Sequence, residues 1–374
     1  MWLVFYSEEH LVSEVVKAVL NALPPPMPLP AAQYPVGLGK TSMDIVSMLH
    51  NNKRVIGLCG MGGIGKTTLA KEVYNQEKSR YESCCFLDNV KDANSVDSSR
   101  SKMVTSLIGK DATHMVGNYE RCFEIIQKKK VLVVVDDISE AKQFFGLIPH
   151  LTGLAFGSKV IITSRDRDLL NAIMANVSLD ERAIYDMPVL TFPNSMELFI
   201  YHAFRKRSLS EVDATFHENV NDIVLACKGL PLALEVIGGF LSNRKDEPEC
   251  WTEAIVRIRK DRDIIKSLRI SFDNLANEEK NMFKDIACMM LGHLKDMALE
   301  FWNSAEYNMP NCSLNALIAK SLVKVDLDGR LQMHDLLRDM GREIVMDEAS
   351  HNVKKQSHIW DCSKIVRKVG RVRI

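Results

Sequence analysis

One octapeptide restricts the folds open to this chain more than any other feature. Gly60-Met61-Gly62-Gly63-Ile64-Gly65-Lys66-Thr67 fits the pattern G-x-x-x-x-G-K-[ST]; it follows an apolar run from Arg54 to Cys59 and precedes a helical pattern from Thr68 to Tyr74. A strand, a glycine turn and a helix in that order make a phosphate cradle. Glycines let successive backbone N–H groups turn inward around phosphate oxygens, and the helix N-terminus adds the positive end of its dipole. Lys66 would neutralise the β and γ phosphates, and the Thr67 hydroxyl would ligate Mg²⁺. Gly60, Gly62, Gly63, Ile64, Gly65 and Thr68 complete the expected nucleotide-binding turn.

Such a fold needs a carboxylate on a second strand to hold the metal. Val131 to Val135 is an uninterrupted apolar run, as expected of a central strand buried on both faces, and it ends in Asp136-Asp137. Asp136 would hold Mg²⁺ through water, and Asp137 is the candidate catalytic residue, placed to orient or polarise an attacking water. A further strand, Lys159 to Thr163, runs into Ser164-Arg165-Asp166. Two fates are open to Arg165: reaching a γ phosphate, or pairing with Asp166 or Asp168.

Cys84 to Val90 and Ala183 to Met187 supply two more strand patterns, and their alternation with helical segments predicts a mainly parallel α/β sheet. Beyond Pro193 the pattern turns helical: Ser195 to Phe204, Phe216 to Cys227 and Leu232 to Leu241. A late hairpin signal, Leu322 to Val325, then Asp328-Gly329, then Leu331 to Met333, stands among helices and predicts a winged-helix unit. The expected fold is an α/β P-loop NTPase with a parallel sheet, followed by an α-helical subdomain and a winged-helix subdomain. At the other end, Leu11, Val15, Val19 and Leu23 mark an amphipathic helix from His10 to Leu23, which Pro24-Pro25-Pro26 stops.

At 374 residues the chain is long enough for two or three packed units. Lysine plus arginine equals aspartate plus glutamate, 48 each, so no global basic field points to nucleic acid. Seven basic residues against one acid between Lys354 and Arg373 read as a solvated stub or as a contact with nucleic acid or anionic lipid. Nine cysteines without a C-x-x-C pair indicate reduced thiols, a cytoplasmic or nuclear setting and no zinc site. The apolar start at Met1 lacks a basic flank, and no apolar run approaches the roughly 18 residues of a membrane span.

Taken in order, GMGGIGKTT, VLVVVDDI, GSKVIITSRD, Gly229-Leu230-Pro231-Leu232-Ala233-Leu234 and Met333-His334-Asp335 resemble the NB-ARC module of plant disease-resistance proteins, the nucleotide-binding, leucine-rich-repeat immune receptors. Phe283 to Cys288 resembles the TIR-class form, and the helix from His10 resembles the last helix of a TIR domain. The resemblance runs from about Tyr34 to Asp361. It implies a remnant helix and linker over 1–33, a P-loop domain over 34–190, a helical subdomain over 191–262, a winged-helix subdomain over 263–346 and a basic tail over 347–374. It also implies that Val36, Gly37 and Pro231 flank the adenine and that His334 contacts the β phosphate of ADP, locking a closed form. By residues alone, Gly229 to Leu234 also reads as a glycine break before a proline-started core helix, and His334 as an ordinary helix-entry histidine.

What the resemblance implies about activity is an ADP-bound off state and an ATP-bound on state, with slow Mg²⁺-dependent hydrolysis as the reset and signalling in defence as the output. Self-association or pairing with full-length receptors is the partner expectation; nucleic acid and membrane are not. Two other readings stand beside it: a truncated adaptor that pairs with full-length receptors, and an actively turning-over P-loop ATPase. The sequence departs from the family at Gly39-Lys40-Thr41, where an arginine is common. No L-x-x-L-x-L repeat follows, and the glutamate of TIR NAD-cleaving activity is absent, so that activity is not expected.

Overall fold

The computed structural model describes residues 28–92, 96–110, 116–242, 244, 247–260, 268–305, 307–348 and 358. The helix expected from His10 to Leu23 and residues 349–374 of the expected basic tail, His358 excepted, lie outside the described residues. Strands β1 (Val55–Cys59), β2 (Ser83–Leu87), β3 (Val131–Val135), β4 (Lys159–Ser164) and β5 (Arg182–Asp186) pair in parallel in the order β2-β3-β4-β1-β5. Parallel neighbours need crossovers, so helices cover both faces. These are α1 (Leu38–His50), α2 (Lys66–Glu77), α3 (Val96–Leu107), α4 (Tyr119–Ile126), α5 (Ala141–Leu147) and α6 (Arg167–Ile173).

The unbroken apolar run of β3 follows from this double cover. Val131, Val133 and Val135 pack with Phe144, Leu147 and Leu170 on one face, while Leu132 and Val134 pack with Ile45, Leu49 and Leu69 on the other. The second strand stops at Leu87, short of the expected Val90. Its continuation is tied instead to the end of β3, where the amides of Val90 and Lys91 donate to the carbonyls of Asp136 (2.9 Å) and Asp137 (3.1 Å).

The remainder is helical apart from one short hairpin. Helices α7 (Phe192–Phe204), α8 (His217–Ala226), α9 (Pro231–Leu241) and α10 (Pro248–Lys260) come first. They are followed by α11 (Arg269–Asp273), α12 (Asn277–Asp285), which continues into a π-helical turn over Ile286–Met290, α13 (Lys295–Ser304) and α14 (Pro310–Ala319). The antiparallel pair β6 (Lys324–Val325) and β7 (Leu331–Gln332) then leads into α15 (Asp335–Glu348). Pro231 and Pro310 open their helices, where a missing N–H costs nothing. The hairpin turn is wider than a two-residue D-G loop, because the Asp326 carboxylate accepts from the amides of Asp328 (3.0 Å) and Arg330 (2.8 Å).

One apolar core runs through both helical groups: Leu198 and Trp251 belong to the same cluster as Phe283, Trp302, Leu314 and Leu337. Gly239 of α9 shows how close the two approach, since a Cβ there would lie 2.8–3.0 Å from backbone atoms of Lys320 at the end of α14. Backbone cannot rotate away as a side-chain tip can. Gly239→Ala is therefore expected to destabilise this shared core by about 1–3 kcal/mol, read as a lowered urea midpoint; an unchanged midpoint would show that the two groups pack independently.

Candidate nucleotide-binding site

The C-terminal ends of β1, β3 and β4 meet at one edge of the sheet, where open α/β folds place ligands. From β1 the chain turns through Gly60 to Gly65, with φ of +74° at Gly63 and +99° at Gly65, and enters α2 at Lys66. The turn is covered from two sides. A Cβ on Gly62 would lie 2.9 Å from the Leu336 side chain of α15, and one on Gly63 would lie 2.8 Å from Leu232 of α9. The Leu232 amide also donates to the Gly63 carbonyl at 3.2 Å. Only a turn without side chains admits both leucines.

Lys66 is buried, and its ammonium donates to the carbonyls of Gly60 (2.7 Å) and Met61 (3.0 Å). Burial, reinforced by the nearby Arg165 guanidinium, pushes its pKa down to about 8. An anion in the turn favours its charged form. Gly60 contributes a carbonyl to this lysine, while Gly62, Gly63, Gly65, Thr67 and Thr68 line the cavity directly.

Asp136 is fully buried at the end of β3 and takes two hydroxyls. Thr67 Oγ1 donates to both carboxylate oxygens at 3.0 Å, and Thr163 Oγ1 of β4 donates to Oδ1 at 2.6 Å. Burial raises the Asp136 pKa to about 6 against the opposing pull of those hydrogen bonds. The same Thr163 hydroxyl accepts from the Asp137 amide at 2.8 Å, which holds Asp137 in a left-handed conformation, φ +53°. Asp137 lines the cavity, and its Oδ2 is buried without a hydrogen-bond partner. That orphaned oxygen, with the Thr67 hydroxyl and the Asp136 carboxylate, is the hard-oxygen set that suits Mg²⁺ when phosphates complete its shell. Among the described residues no group of three or more His, Cys, Asp or Glu is placed to hold a metal alone.

Arg165 takes neither acid expected for it. Asp166 caps α6 by accepting from the amides of Asp168 and Leu169, and the Arg165 guanidinium crosses the cleft to pair with Asp335, the first residue of α15. A contact that sequence spacing does not show thus joins the sheet to the winged-helix unit. His334 stands beside it, with Nδ1 2.7 Å from Asp335 Oδ1 and 3.2 Å from the Leu336 amide. The Leu336 amide donates to Nδ1, which leaves the proton of the neutral imidazole on Nε2. The His334 side chain is 34% exposed and lines the cavity. Burial and the surrounding cations Lys324, Arg165 and Lys66 push its pKa down to about 3.

Two adjoining cavities occupy the cleft. The first, about 250 Å³, is bounded by the glycine turn, Asp137, Arg165 and His334. The second, about 320 Å³, is more apolar and is bounded by Val36, Gly37, Ile64, Leu198 and Pro231, with Lys40 and Thr41 on its wall. Its outer wall is a strap. The Asn75 side chain of α2 clamps the Leu29 backbone with hydrogen bonds of 2.8 and 2.7 Å, and Tyr34 stacks on Tyr201 of α7 with ring centroids 3.9 Å apart. The sequence-expected site residues line one or other of these cavities except Gly60 and Asp136, which bear on the first through Lys66 and Thr67. Asp335, Glu235, Lys324 and the Tyr34–Tyr201 stack were not foreseen; the available signal was position, since Asp335 follows His334 and Glu235 stands one turn beyond Pro231.

The depressed His334 pKa gives a sign-definite expectation for the nucleotide-free protein. The unfolded chain takes up this proton near pH 6.5 and the folded one only near pH 3, so the stability linked to neutral His334 is complete above 6.5 and lost as pH falls toward 3. His202, lowered to about 4 by burial, acts in the same direction, and Asp136 in the opposite one. Both are common to wild type and His334→Gln. The variant is expected to lose less stability between pH 7.5 and 5 in urea titrations; equal losses would refute the burial of a neutral imidazole.

The NB-ARC domain matches residues 40–209, and the winged-helix domain described as Disease resistance protein Roq1-like matches residues 276–349. Disease resistance protein RUN1 of Vitis rotundifolia is 28% identical over 95% of this chain and 26% of its own length. TMV resistance protein N of Nicotiana glutinosa is 33% identical over 87% of this chain and 28% of its own length. The chain thus spans about a quarter of the length of these curated relatives. A solved signal transduction ATPase with numerous domains and a tetratricopeptide repeat sensor, from Pyrococcus horikoshii, shares the fold. It has a TM-score of 0.58 and 17% identity over 88% of this chain and 45% of its own. No helix among the described residues is long and apolar enough to cross a membrane. With its P-loop, its second-strand aspartates and its winged-helix histidine gathered on one cleft, the chain belongs to the NB-ARC disease-resistance proteins.

Proposed function

We propose that this chain is the ADP/ATP-operated switch of a plant immune receptor, closed with ADP and opened by ATP. The observation that carries the reading is the Arg165–Asp335 pair, which spans the cleft between the sheet and the winged-helix unit beside the phosphate cavity. The adenine occupies the apolar cavity between Val36-Gly37 and the flat ring of Pro231. The diphosphate enters the glycine turn, on Lys66 and the amides that open α2. Thr67 and Asp136, with the Asp137 carboxylate beside them, would hold Mg²⁺, which would neutralise phosphate charge. In this closed arrangement α15 rests on the turn through Leu336.

A third phosphate changes the competition for Arg165. It offers the guanidinium a doubly charged, bidentate acceptor in place of the Asp335 carboxylate. Losing Asp335 from Arg165 removes an attachment of α15, so ATP favours the open form by its differential contacts with the two states. His334 acts in the other direction. With Nδ1 accepting from the Leu336 amide, the neutral imidazole carries its proton on Nε2 and donates it to a β-phosphate oxygen. That hydrogen bond ties the winged-helix unit to the ADP-bound cleft. Asp137 orients water for the slow hydrolysis that resets the switch. The described cysteines form no disulfide, which suits a cytoplasmic or nuclear setting, and opening exposes apolar surface for self-association or for pairing with full-length receptors.

Nucleotide released from the purified protein tests this. Wild type is expected to yield stoichiometric ADP and Lys66→Ala none; ADP at wild-type stoichiometry in that variant would remove the cradle assignment. Asp335→Ala is expected to exchange ADP at least about tenfold faster than wild type and to retain ATP, since a cross-cleft charge pair of this kind contributes about 1.5–3 kcal/mol. Exchange at the wild-type rate would contradict the switch.

A further inference from the structure

Resting on the nucleotide reading above, we infer that Glu235 is the residue that recognises the ribose hydroxyls and thereby the sugar of the ligand. The base cavity and the phosphate cavity share four lining residues, Gly65, Thr68, Pro231 and Glu235. A nucleotide with its base in one cavity and its phosphates in the other has its sugar at that junction. Glu235 stands four residues after Pro231 on α9, which puts both side chains on one face of the helix. Its side chain is 16% exposed, and Lys324 of β6 donates to Oε2 at 2.9 Å.

The chemistry of this carboxylate selects its ligand. An ionised carboxylate only accepts hydrogen bonds and has about four acceptor positions. Lys324 engages Oε2, leaving acceptor positions of Glu235 toward the cavity. It repels phosphate oxygens, which only accept, and it satisfies a vicinal diol, whose two hydroxyls donate. Thr68 offers a neutral hydroxyl, a weaker acceptor than an ionised carboxylate. Lys324 offsets the charge of Glu235 close to the phosphates, so the carboxylate sits there without driving the diphosphate out of its cavity.

Equilibrium binding of ADP, 2′-deoxy-ADP and 3′-deoxy-ADP to the full chain tests the assignment. Wild type is expected to bind ADP at least about tenfold more tightly than one or both deoxy analogues, the effect of losing a hydrogen bond to a charged group. Glu235→Ala, in a residue type that favours helix, is expected to bring all three to within about twofold of one another. Lys324→Ala removes the same ion pair and is expected to keep the preference for ADP. Equal binding of the three nucleotides by wild type overturns the proposal, as does a preference that survives in Glu235→Ala. A preference lost equally in Lys324→Ala also overturns it, since Glu235 would then act as an interdomain ion pair alone. Wild type that binds none of the three fails at the nucleotide reading itself, a result distinct from binding without sugar preference.

Discussion

A guanidinium held at the mouth of a partly desolvated cleft requires an anion, and the organisation of this molecule follows from which anion Arg165 takes. The sheet puts Arg165 at the end of β4, one residue beyond Ser164 and two beyond the Thr163 that fixes both aspartates. In the closed arrangement the anion is Asp335 of α15. In the switch we propose, a phosphate in the adjoining cavity is the competing partner. Because Asp335 belongs to the winged-helix unit and such a phosphate would sit on the sheet, the choice would set whether the units stay together.

Around this contact, burial does the rest. The glycine turn carries no side chains at Gly62 and Gly63, so Leu336 and Leu232 seat directly on its backbone and remove water from the cradle. Dehydration lowers Lys66 and His334 and raises Asp136, each shift disfavouring the charged form. A nucleoside diphosphate with its cation, as proposed above, would supply the countercharges that these groups lack. The continuous core through α7–α10 and α11–α15 means that the Leu232 and Leu336 contacts are backed by one packed body and not by two loose ones.

Much of this was legible in the sequence because its signals are local. The glycine turn, the apolar run of β3 with its terminal aspartates and the proline that opens α9 each combine spacing with a backbone requirement. Cross-chain choices were not legible. Arg165 has acids one and three residues away, yet Asp166 is consumed in capping α6, and the guanidinium goes to an acid 170 positions along the chain. Glu235 and Lys324 are likewise unremarkable in sequence, since a glutamate on a helix and a lysine on a short strand ordinarily face solvent; only the docking of the hairpin against α9 makes them neighbours. The strand boundary at Leu87 was missed for the same reason, since the amides of Val90 and Lys91 are used by carbonyls at the end of β3.

The central claim is that the third phosphate separates units that ADP holds together. Size-exclusion-coupled small-angle scattering on dilute monomer tests it most directly, with the protein loaded first with ADP and then with a non-hydrolysable ATP analogue. The account requires a larger radius of gyration with the analogue, at unchanged mass. Superimposable curves, with both nucleotides shown to be bound, would contradict it.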